Sequence, residues 1–386
     1  MAINESEKKD RTKHKLTGGT KLKLLSLLLV PISVFCLQCY VNNPENWEKY
    51  YSLGINKTII EFLSLNFGFL PFSVFEVLIF LLLLFLAWYI LATIYNMIRY
   101  HDYLFQVLGK FVLNIVVIAA LLFSSFELLW GLNYKRPQFG LKHGLVVEQY
   151  TTEDLGALYV HLLKRAKVIR QYLDEDTNGV AQMYGDYKNI FDRAYMGFYE
   201  LKYIFDELGG NYGLAKPLVA SDLLNHACIT GIYSPFTGEP NVNVEIPPMY
   251  IPSTTCHEMG HQRGFGYEDQ CNFIAFITCE RHPHPDFQYS GYLLALAYTS
   301  NALGRVDLDM LQSLNQQMSE GIKRDLDYGN AFWDQYRGQI KEAARSVNNT
   351  FLKTNGVKSG TQSYGKVVDL LLAYYANYFT IDDKVK

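Results

Sequence analysis

The chain has 386 residues, 49% of them hydrophobic and 19% charged, with a formal net charge of −3. That length accommodates two or three domains. The near-neutral charge excludes the basic footprint of a nucleic-acid-binding protein, and an apolar excess concentrated in the first third excludes an ordinary soluble fold there.

A basic stretch, residues 1–21, carries Lys8, Lys9, Arg11, Lys13, Lys15 and Lys21. Three apolar runs follow at about 22–41, 72–95 and 107–130. Each is long enough to cross roughly 30 Å of hydrocarbon as a helix. Lys110 and Glu127, near the two ends of the third run, can extend their polar ends to the interface. The first run lacks a small-residue cleavage site and two more runs follow it, so it reads as an uncleaved helix. The loop after it holds only Lys49 and Lys57, whereas Arg99 and Lys110 follow the second run. The positive-inside bias therefore predicts a multi-pass cell-membrane protein with a cytoplasmic N-terminus and everything after Trp130 outside. Residues 55–68 are too short to span and predict an amphipathic helix on the outer surface. The expected organisation is a cytoplasmic 1–21, a membrane domain at 22–130 and a large extracytoplasmic domain at 131–386.

In that last domain, Thr152-Glu153-Asp154 puts acids in the first turn of a helix reaching about Asp176. A second helix runs from about Asp186 to Leu208 and stops at Gly209-Gly210. The stretch GIYSPFTGEPNVNVEIPP follows, in which NVNVEI alternates like a strand. Its prolines, Pro240, Pro247 and Pro248, predict a sheet edge. Beyond it helices are expected at about 272–281, 286–303, 308–347 with breaks, and 363–378. The fold class is mainly α: three transmembrane helices, then an α-rich domain with a small edge-strand element.

Directly after that strand the chain reads TTCHEMGHQRGFGYEDQCNF. On a helix, His257 and His261 stack on one face, and two such imidazoles can hold one zinc ion. Glu258 projects about 100° around the helix, where it can act as general base toward a water that zinc brings to a pKa of about 7. A catalytic zinc takes a third protein ligand and keeps one position open. Gly264 and Gly266 can turn the chain, and Glu268 at the head of the next helix can point back, so Glu268 is the expected third ligand. Asp269 is its nearest rival, better suited to the helix dipole, and Cys271 and Cys256 read as small core residues. Asn272, four residues after Glu268, can hydrogen-bond a ligand. His282 and His284, in ERHPHPD, read as residues of an exposed loop. For a transition-state oxyanion the candidate donors are Tyr289, Tyr292, Tyr298 and His226, among which the sequence does not choose. An edge strand such as GEPNVNVEI could hold an extended peptide by backbone hydrogen bonds. Six cysteines form no zinc-ribbon framework, and the spacing leaves open a disulfide among Cys228, Cys256, Cys271 and Cys279.

The exit sequence WGLNYKRP, the segment GIYSPFTGEPNVN, the run CHEMGHQRGFGYEDQCNFIAF, YSGYLLALAYTSNAL and the C-terminal FLKTNGVKSGTQSYGKVVDLL together resemble a bacterial membrane-protein family known as domain of unknown function 3810. The likeness covers most of the chain. Gln270 and Cys271 depart from the family pattern, which has glutamate and alanine there, and leave the presumed ligand intact. The spacing Glu268-x-x-x-Asn272 is also similar to the second zinc motif of gluzincin peptidases of the membrane-bound CAAX-protease type. That shorter resemblance implies a zincin-like domain with His257, His261 and Glu268 as zinc ligands and Glu258 as base. The expected activity is therefore zinc-dependent hydrolysis of a peptide or protein substrate at the bilayer surface. The rival readings are a structural metal site in a non-catalytic membrane protein and a zinc hydrolase acting on a lipid or cell-wall amide.

Overall fold

The structure is a computed structural model that describes residues 18–145, 150–336, 338–357 and 366–382. The basic residues before Gly18 and the stretch 358–365 lie outside the described residues.

The first apolar run forms two helices, α1 (Gly18–Ser26) and α2 (Leu29–Asn42). Pro31 explains the break. Its ring crowds the carbonyl four residues back, at Leu27, and the chain closes a tighter turn there, Val30 N to Leu27 O at 3.3 Å. Between the first two runs lie a π-helical stretch, Glu48–Asn56, and α3 (Lys57–Gly68). The other two runs are α4 (Val74–Arg99) and α5 (Leu104–Leu129). All three runs are helical over lengths and compositions that can cross a membrane. Apolar side chains such as Phe80, Leu83, Leu91 and Ile98 stand exposed along α4, as lipid-facing residues do.

The chain divides into two compact units. One contains the residues up to Asn42 with Leu81–Leu129. Inside it Lys23 donates to Asn114, which in turn donates to the Tyr89 hydroxyl, both at 2.7 Å. The other unit contains Asn43–Phe80 together with everything from Trp130 onward. The stretch between the first two spans thus packs as part of the large C-terminal unit.

In that unit α6 (Thr152–Arg170) begins at a capping box formed by Thr151 and Asp154. It ends before the expected Asp176, because Arg170 is drawn onto buried Asp325 at 2.6 Å and the following residues fold into a tight turn. There the Asp176 carboxylate accepts from Asn178 N at 2.8 Å and Val180 N at 2.9 Å, competing with helix continuation. The expected helix 186–208 is broken at Ala194 into α7 (Tyr187–Arg193) and α8 (Tyr195–Leu201).

A three-stranded sheet comprises β1 (Lys216–Pro217), β2 (Gly231–Ser234) and β3 (Glu239–Val242), in the order β1-β3-β2. The small β element is present, but its proline-bearing strand is not the edge. β3 lies in the centre, parallel to β1 and antiparallel to β2. Pro240 is tolerated because the strand is short and the Asn241 amide supplies extra donors, to Ile232 O and Glu239 O at 3.0 Å each. The edge beside the motif helix is β2, the GIYS segment.

Behind the sheet stand α9 (Ile251–Gln262), α10 (Glu268–Glu280) and α11 (Pro285–Val306), then α12 (Leu308–Asn315), α13 (Glu320–Asp334), α14 (Gln339–Thr354) and α15 (Lys366–Asp382). Phe273, Ile274, Phe276, Phe287 and Tyr289 are buried between these helices and form the centre of the core. All six cysteines are free thiols. Cys256, Cys271 and Cys279 are buried, as small core residues are.

Candidate metal centre

A single 3₁₀ turn, Pro248–Tyr250, leads into helix α9, which carries Pro252 in its first turn, where a missing N–H costs nothing. It stops at Gly264, whose φ of +82° lies in the left-handed region that favours glycine. The N–H groups of Arg263 and Gly264 cap the carbonyls of Gly260 and His261, and Gly266 then passes against the Tyr134 ring. The turn is short, so α10 opens at Glu268 beside the C-terminal half of α9. A β-carbon on Gly260 would sit 3.5 Å from Cys271 Sγ, which shows how near the two helices run.

This turn brings His257, His261 and Glu268 together, with one ligand atom from each within 4.8 Å of the others. His257 Nε2 faces Glu268 Oε2 at 3.2 Å, and His261 Nε2 faces Glu268 Oε1 at 3.7 Å. Two donors bound at ~2.0–2.1 Å to one tetrahedral ion stand about 3.3 Å apart, so these separations suit a small cation. The other ring nitrogens are already engaged. His257 Nδ1 pairs with Asn272 Oδ1 at 3.0 Å, and His261 Nδ1 with the Phe265 carbonyl at 2.7 Å. Both partners accept, which places the ring protons on Nδ1 and leaves the Nε2 lone pairs facing Glu268. The Cys271 thiol also donates to Phe265 O, at 3.2 Å. Burial raises its pKa well above the ordinary range, so it is a protonated support rather than a thiolate ligand.

The surroundings act on the two rings in opposite directions. Burial lowers His261 to about 4. His257 is also pulled down by burial, but its hydrogen bond and charge attraction to Glu268 outweigh this and raise it. Glu258 lies outside the three-residue cluster, on the neighbouring strip of α9. Its buried carboxyl sits against Gly231 of β2 and receives a hydrogen bond from the Tyr233 backbone. Burial pushes it up to about 8. A carboxyl that exchanges its proton near neutrality is suited to general base and acid work.

The remaining candidates separate clearly. Asp269 is buried outside the cluster, its carboxyl pushed up to about 6 by burial. His282 is buried, not in an exposed loop. It is stacked on Phe287 with centroids 3.8 Å apart, and its Nε2 donates to Arg193 O at 3.0 Å. Tyr289 is committed to Asp325 and Tyr292 to Glu280, while His226 packs on Tyr336. Tyr298, by contrast, is half-buried on α11 and has its phenol raised by burial and then by the Glu268 charge.

Three contributors are not visible in the motif. Gly231 leaves the room that the Glu258 carboxyl fills. The Phe265 carbonyl orients His261. Buried Arg136 clamps the turn between the helices, with Nη1 donating to Arg263 O at 3.0 Å and Gly264 O at 2.9 Å and Nη2 to Glu48 at 3.1 Å.

Residues 51–372 match the family model described as "Protein of unknown function (DUF3810)". The chain belongs to DUF3810. The match takes in His257, His261 and Glu268, strand β2 and Arg136. No curated protein and no solved structure matches the chain.

Proposed function

We propose that this DUF3810 protein is a membrane-anchored zinc metallopeptidase. The observation that carries the reading is the His257–His261–Glu268 cluster, with both Nε2 atoms aimed at the two Glu268 oxygens and both Nδ1 atoms locked by Asn272 and Phe265. Among the described residues no fourth histidine, cysteine or carboxylate joins the group, whereas structural zinc sites are usually closed by four. Bound there, zinc supplies Lewis acidity toward a carbonyl and acidifies water. Glu258, held by Gly231 and Tyr233, takes a proton from the attacking water and passes it to the leaving amine. The Tyr298 phenol is the candidate donor to the oxyanion. β2 is an outer strand of the sheet beside Glu258, and the backbone groups it turns outward could pair with an extended peptide, which favours a polypeptide over a lipid.

The membrane setting supports the proposed orientation. Segment 43–80 and the chain after Trp130 belong to one compact unit, which fits α4 and α5 crossing as a there-and-back pair. The basic residues before the first span favour placing that unit on the extracytoplasmic side. The test compares purified wild type with Glu258→Gln, measuring bound zinc and hydrolysis of an unfolded envelope protein. Equal zinc with hydrolysis only in wild type supports the reading. Zinc without hydrolysis in either makes the site a structural one, and zinc in neither ends the metal hypothesis.

A further inference from the structure

Helix α3 has two distinct faces. Ile60 and Ser64 are buried, and Ser64 Oγ accepts from Gly213 N at 3.1 Å. A β-carbon on Gly238, in the turn between β2 and β3, would stand 3.0 Å from both Ile60 O and Ser64 N. The turn of the active-edge hairpin therefore rests directly on α3. The same turn is tied to α9, since Gln262 Nε2 donates to Gly238 O at 2.9 Å, one residue after the second histidine. The opposite face of α3 and its flanks is an apolar stripe: Ile55 is 63% exposed, Phe62 64% and Phe69 78%, with Ile59 and Leu65 between them. These positions recur every three or four residues and form one side of the helix.

The chain itself names what covers this stripe. The helical stretch begins at Pro44, two residues after a membrane helix ends at Asn42, and α3 ends six residues before the next begins at Val74. Six extended residues reach at most roughly 20 Å. Both ends are therefore tethered close to the same bilayer surface, and an amphipathic helix so held buries its apolar face ~5–10 Å into the headgroup boundary.

We infer that the substrate is a polypeptide presented at the bilayer interface: the juxtamembrane segment of another membrane-anchored protein, cleaved close to its anchor. The inference rests on the hydrolase reading above. The distance follows from the hairpin. Gly238 N donates to Ser234 O at 2.8 Å, so the turn closes at the end of β2, and the three steps from Gly231 to Ser234 span roughly 10 Å. Adding the contact with α3 and that helix's own thickness, the Glu258 carboxyl lies no more than roughly 15–20 Å above the acyl boundary. That distance is covered by about five or six extended residues.

The experiment uses the full chain loaded with zinc in proteoliposomes. Two probes are offered: a randomised twenty-residue segment fused to a single transmembrane helix, and the same segment as a free peptide. Mass spectrometry reads the cleavage sites. The expected result is anchored cleavage about tenfold or more faster than free cleavage, as local concentration dictates, clustered within the first ten residues from the anchor. In Phe62→Asp/Phe69→Asp the preference falls toward unity while zinc content holds. Because that variant can fail to insert, Phe62→Trp is measured in lipids brominated on the acyl chain. Added emission that is quenched supports the seat, whereas unquenched emission, from solvent or from a covering protein surface, overturns it. Equal cleavage of both probes, or cleavage spread far from the anchor, overturns the inference and leaves the hydrolase standing. Cleavage of neither by the zinc-loaded protein overturns both.

Discussion

Replacing Gly231 by alanine tests how Glu258 is held. The added β-carbon would lie 2.6 Å from Glu258 Cγ and 2.7 Å from Cδ, with the Oε1 oxygen closer still. Carbon atoms in contact stand about 3.5–4.0 Å apart, so either the carboxyl or strand β2 must retreat by about 1 Å. Overpacking of this kind costs about 1–3 kcal/mol of stability. A displacement of about 1 Å in a catalytic group costs on the order of a hundredfold in rate. The ligands of the proposed zinc lie on α9 and α10 rather than on β2 itself, so zinc content should be unchanged. The assay is hydrolysis by wild type, Gly231→Ala and Gly231→Ala/Glu258→Gln at matched zinc loading. The single variant should lose about a hundredfold in kcat, and adding Glu258→Gln to it should cost less than it does in wild type, because the two changes act on one group. Full activity in Gly231→Ala would refute the reasoning that this contact positions the base. Loss of zinc would show that the strand and the ligand cluster move together.

Asn272→Ala frees His257 Nδ1 and should weaken zinc binding about 10–100-fold, read by competition with a chelator. Tyr298→Phe should lower kcat about a hundredfold with zinc content unchanged; an unaltered kcat would remove the phenol from the oxyanion role. Arg136→Ala strips the clamp from Arg263 and Gly264 and a partner from buried Glu48, and should cost about 3 kcal/mol in denaturant unfolding. Burial holds His282 at about 4, against about 6.5 in the unfolded chain, so protonation favours unfolding. Its contribution is full above pH ~6.5 and is lost as pH falls toward 4, about 3 kcal/mol in all. Unfolding of His282→Asn should accordingly depend less steeply on pH across that window, and an unchanged slope would locate the acid sensitivity elsewhere.

Some of this molecule is decided locally, and those parts are legible in the chain. The three membrane-long helical runs follow from apolar composition, the break in the first from Pro31, and Thr151-to-Asp154 capping from side chains three residues apart. The pairing of His257 with His261 follows from helical periodicity, and the return of Glu268 from glycines that permit a five-residue turn. Other features depend on partners distant in the chain. Helix α6 stops early because Asp325, 155 residues away, binds Arg170. The strand expected at the edge became central because β1 and β2, both weak as strand patterns, flank it. His282 sits among prolines that suggest a loop, yet Arg193 O, 89 residues away, and the Phe287 ring bury it. Composition and spacing determined which groups could meet a metal; only the tertiary structure set Gly231 against Glu258 and Arg136 against the turn. Local propensity carries no information about which backbone will arrive opposite, and packing alone supplies it.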